Sequence, residues 1–177
     1  MNKILVNKKE FKYTENNFPI FIHGRDHEGA SFYTISLIAD LFFRDFEIVV
    51  LCGYPMAFEQ FKNQVKDIND RVVFYTKEHI ADFKNKLLSL DNTNNQIILL
   101  KNVELFDKDI INFVLERKNY IISGDFNKCV LGEKILEKPF VTKIFFSDFF
   151  DIEMPLLNKY EGFFVSDVTK GLTKLVL

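Results

Sequence analysis

Short apolar runs recur along the chain, separated by stretches in which apolar residues follow helical spacing. Within runs such as residues 18–23 and 96–100, polar residues do not alternate with apolar ones. Uninterrupted apolar strands separated by helices are typical of a parallel sheet that is covered on both faces. The pattern therefore predicts an α/β fold of three layers, αβα, with a mostly parallel sheet. The predicted core strands are residues 18–23, 47–51, 71–75, 96–100, 120–123 and 142–146.

The helical stretches lie between these strands. Residues 31–44 are apolar almost all round, so we expect this helix to be covered on several sides. Asp107 stands where a helix N-cap is expected, Thr76 is a second N-cap candidate, and Pro55 suits a first helical turn. The predicted helices are residues 31–44, 55–65, 76–90 and a helix that begins after Asp107.

The end of the chain has a different pattern. Residues 162–165 and 173–177 are predicted to form a β-hairpin around Lys170 and Gly171. Residues 147–161 have no clear periodicity, and we interpret them as an appendage that carries a contact surface. Aromatic doublets near this end, with Met154, either join the core or form an apolar surface for a protein partner.

Composition narrows the class of protein. The chain has 177 residues, of which 47% are hydrophobic, and it contains no linker or repeat, so we expect a single domain over residues 1–177. The net charge of −2 does not indicate nucleic-acid binding. No apolar run approaches the roughly 20 residues of a membrane span. Two separated cysteines, Cys52 and Cys129, suit free thiols in a reducing cytoplasm, which is the predicted location.

The segment after the first core strand has the spacing of a phosphate-binding loop. Such a loop has the form G-x-x-x-x-G-K-[ST], in which the glycines let backbone N–H groups surround a phosphate. Gly24, Gly29 and Ser31 fit this spacing, but Ala30 occupies the position of the lysine. Arg25 lies within the predicted loop. The alternative interpretation is an ordinary βα turn in a flavodoxin-like fold.

On these residues the chain resembles the P-loop NTPases over about residues 18–147, as a degenerate member. The resemblance places the 96–100 strand at the Walker B position, where the family has an Asp for magnesium, often followed by a catalytic Glu. Lys101 and Asn102 follow that strand here. Residues 123–125, Ser-Gly-Asp, fall near the position of the polar sensor residue of related ATPases.

The subfamily is left open by the motifs. Residues 101–106, KNVELF, and 123–126, SGDF, are similar to two stretches of the zinc-containing type of thymidine kinase, D-E-A-Q-F-F and G-L-D-x-D-F. That family's catalytic Glu would fall on Asn102, and its zinc cysteines are absent. Similarity to the AAA+ and RecA-like ATPases is comparable.

The joint replacement of these groups implies a non-catalytic protein. Phosphoryl transfer depends on positioning and charge stabilisation, so the loss of the lysine, the metal-binding carboxylate and the catalytic Glu leaves little of either. We therefore expect a pseudo-enzyme that works as an interaction or scaffold subunit, with a protein partner or larger assembly. The alternative is a nucleotide-binding kinase or NTPase with atypical loop residues.

These residues predict neither a cofactor nor a metal. One alternative to this prediction is nucleotide binding without magnesium. Lys101 could replace the missing loop lysine as an anion contact, assisted by Arg25, and so bind ATP or ADP without magnesium. His23, His27 and Glu28 crowd the loop, but their spacing matches no metal motif.

Overall fold

The structure, a computed structural model, describes residues 3–25, 29–56, 59, 71–90, 95–158, 161–167 and 169–176. Its strands form one sheet, which carries helices on both faces. The α-helices whose bounds lie within the described residues are α1 (Ala30–Phe43), α2 (Ile80–Leu88) and α3 (Lys108–Leu115). The strands are β1 (Lys3–Val6), β2 (Lys9–Glu10), β3 (Ile20–His23), β4 (Glu47–Cys52), β5 (Val72–Thr76), β6 (Gln96–Lys101), β7 (Tyr120–Gly124), β8 (Thr142–Phe145), β9 (Glu161–Ser166) and β10 (Lys170–Val176).

The order of strands across the described sheet is β2-β1-β10-β9-β8-β3-β7-β6-β4-β5. The six strands from β8 to β5 are mutually parallel, and the remaining pairs are antiparallel. Strand β3 does not pair with β4, the next core strand of the chain, because β7 and β6 lie between them. The prediction of a mostly parallel α/β sheet is confirmed, and this order is not that of a flavodoxin-like fold.

Helix α1 covers one face of the sheet, while α2 and α3 cover the other. On the α1 side, Leu37, Ile38 and Leu41 have no exposed surface. On the opposite side, Phe83 of α2 and Ile111 of α3 are equally buried. Each such side chain stabilises the fold by about 1.5–3 kcal/mol through removal from water. The two apolar layers therefore fix the sheet from both sides.

Helix α1 is covered on several sides, as predicted, but two of its aromatic side chains are exposed. Phe32 is 49% exposed and Phe43 is 60% exposed, although the helix buries most of its other large apolar side chains. The helix begins at Ala30 and ends at Phe43, one residue earlier at each end than predicted. Among the described residues, no helix is long and apolar enough to cross a membrane.

Other element boundaries differ from the predicted ones for local reasons. Helix α2 begins at Ile80, because Thr76 still belongs to β5 and Lys77–His79 forms a 3-10 turn. The Asp107 N-cap of α3 is confirmed: its side chain accepts hydrogen bonds from the backbone N–H groups of Asp109 and Ile110. The predicted helix 55–65 lies largely outside the described residues.

Strands β1 and β2 were not predicted. They form a hairpin whose turn residues, Asn7 and Lys8, have positive φ angles of 51° and 65°. Strand β1 then pairs with β10, so the predicted C-terminal hairpin of β9 and β10 extends the main sheet. Lys170 and Gly171 belong to β10 and are not at the hairpin turn, which is a correction of the predicted turn position.

Candidate functional site

The predicted phosphate loop connects β3 directly to α1. His23 ends the strand, Gly24 and Arg25 follow it, and Ala30 begins the helix. Gly29 is the N-cap of α1 and has a left-handed φ of 108°, which glycine adopts without steric cost. Asp26, His27 and Glu28 lie outside the described residues. The strand–loop–helix setting that the motif requires is therefore present.

A glycine is needed at position 24 because the two ends of the loop approach each other closely there. A Cβ atom on Gly24 would lie 2.6 Å from the Cβ of Ala30 and 3.0 Å from the Cβ of Phe146. The backbone N–H of Gly24 donates a hydrogen bond of 3.2 Å to the carbonyl oxygen of Gly124, at the end of β7. The beginning of the loop is thus packed against the helix start and anchored to the neighbouring strand.

Lys101, at the end of the predicted Walker B strand, contacts the first turn of α1 next to this loop. Its Nζ atom donates a hydrogen bond of 2.8 Å to the Oγ of Ser31, and the residue is only 2% exposed. The strand register puts Lys101 level with Ser123 of β7, which in turn is level with Ile22 of β3. The lysine side chain therefore crosses the end of β7 to contact the loop.

Strand β7 separates β6 from β3, the strand that precedes the loop. Ser123, on the intervening strand, lies 2.9 Å from the Oγ1 of Thr34 of α1. Because the Thr34 hydroxyl donates to the carbonyl oxygen of Ala30 at 2.7 Å, the Ser123 hydroxyl donates to Thr34. A hydroxyl chain thus connects β7 to the first turn of α1.

The side chain of Asn102 forms hydrogen bonds within the protein. It has a left-handed φ of 61°, and its Oδ1 accepts hydrogen bonds from the backbone N–H of Tyr54 and from the thiol of Cys52, at 3.3 and 3.5 Å. Burial raises the pKa of the Cys52 thiol, and the positive charge of Lys101 partly opposes that rise. The amide therefore joins the ends of β4 and β6.

Glu104 and Asp125 form a second contact at the end of the sheet, which the sequence did not reveal. The Oε2 of Glu104 accepts a hydrogen bond of 3.0 Å from the backbone N–H of Asp125. Asp125, only 5% exposed, forms an ion pair of 3.2 Å with Lys128. Gly124 passes so close that a Cβ there would lie 2.3 Å from the Glu104 Oε2. This contact depends on how two strands pair that are separated along the chain, so no local sequence signal predicts it.

His23 joins three parts of the site, although it is completely buried. Its Nδ1 accepts a hydrogen bond of 3.2 Å from the backbone N–H of Phe126, so the ring proton is on Nε2. The Nε2–H donates to the carbonyl oxygen of Asp148 at 3.0 Å. Sequence reasoning considered His23 only as a metal ligand. Among the described residues, no group of three or more His, Cys, Asp or Glu side chains could hold a metal.

Comparison with known proteins gives the fold. No protein-family model matches the chain, and no curated protein matches it. Among solved structures, the cytoplasmic domain of EssC superposes with a TM-score of 0.69 at 13% identity, covering 98% of this chain and 42% of that one. The fold is that of the P-loop NTPases. At this identity, the likeness shows the fold alone.

Two further P-loop NTPase-like structures are similar to this chain. The cytoplasmic domain of the Thermomonospora curvata type VII secretion ATPase EccC has a TM-score of 0.64 at 11% identity, covering 98% of this chain and 26% of that one. The pCW3 conjugation coupling protein TcpA, solved as a monomer with ATPγS, has a TM-score of 0.62 at 12% identity. The match covers 98% of this chain and 65% of that one. The chain spans less than two thirds of each of these three structures.

The residues at the metal position do not fit magnesium. In P-loop NTPases the ion is held by the loop Ser or Thr and by the Walker B Asp. Here the hydroxyl of Ser31 accepts from the ammonium group of Lys101, so a positive charge already lies where the cation would bind. Magnesium prefers oxygen ligands such as carboxylates, and Lys101 offers none.

Proposed function

We propose that this chain is a non-catalytic P-loop NTPase-like protein that acts as an interaction or scaffold subunit of a larger assembly. One observation carries the proposal: the Nζ of Lys101 lies 2.8 Å from the Oγ of Ser31. In this proposal the contact takes the place of the arrangement through which the fold normally holds magnesium. It joins Lys101, which stands where the family has an aspartate, to the serine that follows Ala30.

The remaining catalytic groups are also missing from their positions. Ala30 is 3% exposed and carries no charge that could reach the outer phosphates. Asn102, at the position of the catalytic Glu, has its Oδ1 engaged by Tyr54 and Cys52. Removal of a single stabilising group typically lowers the rate by about 10²–10³-fold. Several such losses in one site support the absence of useful turnover.

The length of the lysine explains how it takes the place of the ion. An aspartate at position 101 would end two bonds nearer to the backbone than the Lys101 Nζ does. It would contact Ser31 only through a bridging cation, with metal–oxygen distances of about 2 Å. The ammonium group spans that gap by itself. The site therefore holds a positive charge of its own at this position, and in this proposal it does not need magnesium.

The partner is a protein assembly in this proposal. EccC is named as a secretion ATPase and TcpA as a conjugation coupling protein. We infer that this chain likewise works beside other proteins, in the cytoplasm. Its net charge of −2 does not favour a nucleic-acid backbone as its direct ligand.

A steady-state NTPase assay tests the proposal. We expect no ATP or GTP turnover above a blank with magnesium present. Ser31→Ala is the matched control, because it removes the only hydroxyl of the loop motif. Turnover that disappears in Ser31→Ala would overturn the proposal. The reciprocal variant, Ala30→Lys with Lys101→Asp, restores both consensus groups and is expected to gain magnesium-dependent nucleotide binding.

A second function is favoured by the same contact: binding of a nucleotide phosphate without magnesium. A phosphate oxygen could replace the Ser31 hydroxyl as the acceptor of the Lys101 ammonium, and Arg25 at the loop could contribute its guanidinium. ATP and ADP titrations with magnesium and with EDTA test this function. Equal affinity in both, weakened by Lys101→Met and unchanged by the surface variant Lys77→Met, is the expected result. A titration without signal under either condition would remove it.

A further inference from the structure

An exposed turn follows β8, on the side of the molecule where His23 lies. Residues 148–156, here called the acidic turn, are held in shape by their own backbone. Phe149 and Ile152 exchange backbone hydrogen bonds of 3.1 and 2.9 Å. The Oδ1 of Asp148 accepts the backbone N–H of Met154 at 2.8 Å. The turn therefore has a defined conformation without belonging to the sheet or a helix.

The acidic turn is also fixed to the body of the protein. Asn127 donates to the carbonyl oxygen of Asp148 at 3.1 Å and accepts the backbone N–H of Phe150 at 3.0 Å. His23 donates to the same Asp148 carbonyl. Phe149 is 1% exposed and anchors the turn in the core. A surface that is held this firmly can bind a partner with little loss of conformational entropy.

The outward side of the acidic turn is apolar. Phe150 is 39% exposed, Ile152 48% and Leu156 99%. The Phe150 ring packs over Gly132, where an added Cβ would lie 3.0 Å from it. Val130, two positions before Gly132, is 65% exposed. Phe150, Ile152 and Leu156 belong to one turn, and the Phe150 ring contacts the loop that carries Val130. Single exposed apolar residues, by contrast, are normal on a surface.

The backbone of Phe150 has an unusual conformation. Its φ of 47° lies in the left-handed region, which is unfavourable by about 1–2 kcal/mol for a residue with a Cβ. The Phe150 ring packs against Phe149 on one side, and more than a third of the residue is exposed. The fold therefore holds a large aromatic side chain at the surface in a strained conformation.

The charge of the acidic turn is one-sided. From Ser147 to Asn158 the sequence contains Asp148, Asp151 and Glu153 but no Lys or Arg, a local charge of −3. The whole chain, by contrast, carries −2 with 23 basic residues. Asp151 and Glu153 are exposed beside the apolar side chains. Such a surface is complementary to a segment that carries both basic and apolar residues.

We propose that the acidic turn, with Val130, is the docking surface for a basic and apolar segment of a partner protein. The inference rests on the proposed interaction role. A second copy of this chain is a poorer occupant, because a two-fold contact through this surface would oppose Asp151 and Glu153 to their own copies. The negative charge likewise disfavours nucleic acids and anionic lipids.

A designed peptide tests this assignment on the full chain. The probe is a fluorescently labelled helix of about 18 residues with Leu on one face and Lys on the other. One comparison peptide has Glu in place of Lys, and another has the same composition in scrambled order. Fluorescence anisotropy gives the dissociation constants, and sedimentation measures self-association. We expect salt-dependent binding of the Lys peptide and weaker binding of both comparison peptides.

Variants of the surface locate the binding. Ile152→Ser with Leu156→Ser is expected to weaken binding about tenfold or more. Asp151→Asn with Glu153→Gln is expected to weaken it and to reduce its salt dependence. Leu88→Ser on α2 is the control, since Leu88 is 65% exposed elsewhere. All replaced side chains are exposed, so unfolding midpoints should not change.

Three outcomes would overturn the assignment. They are equal affinity of the surface variants and the wild type, equal affinity of the Glu peptide, and a dimer that dissociates on Ile152→Ser. None of these substitutions touches Lys101 or Ser31. Failure of the peptide titration is therefore distinguishable from failure of the non-catalytic proposal, which the turnover assay decides.

Discussion

The Cα of Gly24 and the Cβ of Ala30 face each other across the loop with no room for a methyl group between them. An added Cβ on Gly24 would stand 2.6 Å from that of Ala30. Ala30, which stands at the position predicted for the loop lysine, is therefore packed against Gly24. Position 24 must therefore be a glycine as long as a Cβ atom stands at position 30.

We predict that Gly24→Ala destabilises the protein by about 1–3 kcal/mol, because the new methyl group overpacks this contact. Urea unfolding with an unchanged slope measures the effect. The double variant Gly24→Ala with Ala30→Gly should be less destabilised than the sum of the two single variants, since it relieves the closer contact. Strict additivity would show that the Ala30 contact does not cause the loss.

The buried imidazole of His23 gives a second prediction. His23→Phe keeps an aromatic ring but leaves the Phe126 N–H without its acceptor, so we expect a loss of about 1–3 kcal/mol. The exposed His79 is the control position, where His79→Phe should change stability by no more than about 0.5 kcal/mol. Nitrogen chemical shifts in the wild type should report a proton on Nε2. A proton on Nδ1 would contradict the hydrogen bond to Phe126.

A third prediction concerns alkaline pH. The hydroxyl oxygens of Tyr13 and Tyr33 lie 2.6 Å apart in the core, and burial raises the pKa of Tyr33 to about 12. In the unfolded chain a tyrosine titrates near pH 10. Between these values the unfolded state has lost the proton and the folded state has kept it, so stability falls as pH rises.

The stability should therefore be constant with respect to this group below about pH 10 and fall above it, by up to about 1.4 kcal/mol per pH unit per tyrosine. Urea unfolding at pH 8 to 11.5, as a rough range set by these pKa values, measures the slope. The slope should be shallower in Tyr33→Phe, which keeps both cysteines and so has the same thiol contribution. An unchanged slope would mean that Tyr33 ionises freely in the folded state.

The fourth prediction uses the thiol of Cys52. Burial raises its pKa, and the positive charge of Lys101 lowers it in part. Lys101→Met removes that charge and keeps most of the apolar stem, so the pKa of Cys52 should rise further. Thiolate absorbance against pH, in a Cys129→Ser background, measures the shift. A fall in the Cys52 pKa would show that the ammonium does not act on this thiol.

Much of the central sheet could be predicted, because each core strand is a local apolar run. The loop motif also predicted a strand before Gly24 and a helix beginning near Gly29, since glycine spacing is a local signal. The position of Lys101 near the loop followed from the resemblance of its strand to a Walker B strand. Its hydrogen bond to Ser31 did not, because that contact depends on the strand order.

The features that the sequence did not predict all depend on contacts between residues that are far apart in the chain. Strand β1 has only four residues and becomes a strand through its pairing with β10, far away in sequence. The contact of Glu104 with the Asp125 backbone and that of His23 with Phe126 both join the ends of separate strands. Pattern reasoning concerns spacing along the chain, so it cannot supply which strands become neighbours.

The position of β3 inside the sheet has a consequence for the timescale of motion at the loop. All four of its residues are buried, and hydrogen-bonded strands flank it on both sides, whereas β5 ends the described sheet. Amide protons in such a strand exchange with solvent mainly through the largest unfolding events. We therefore expect β3, which ends one residue before Gly24, to be among the slowest-exchanging segments, so that the position of Gly24 is set during folding and not by ligand binding.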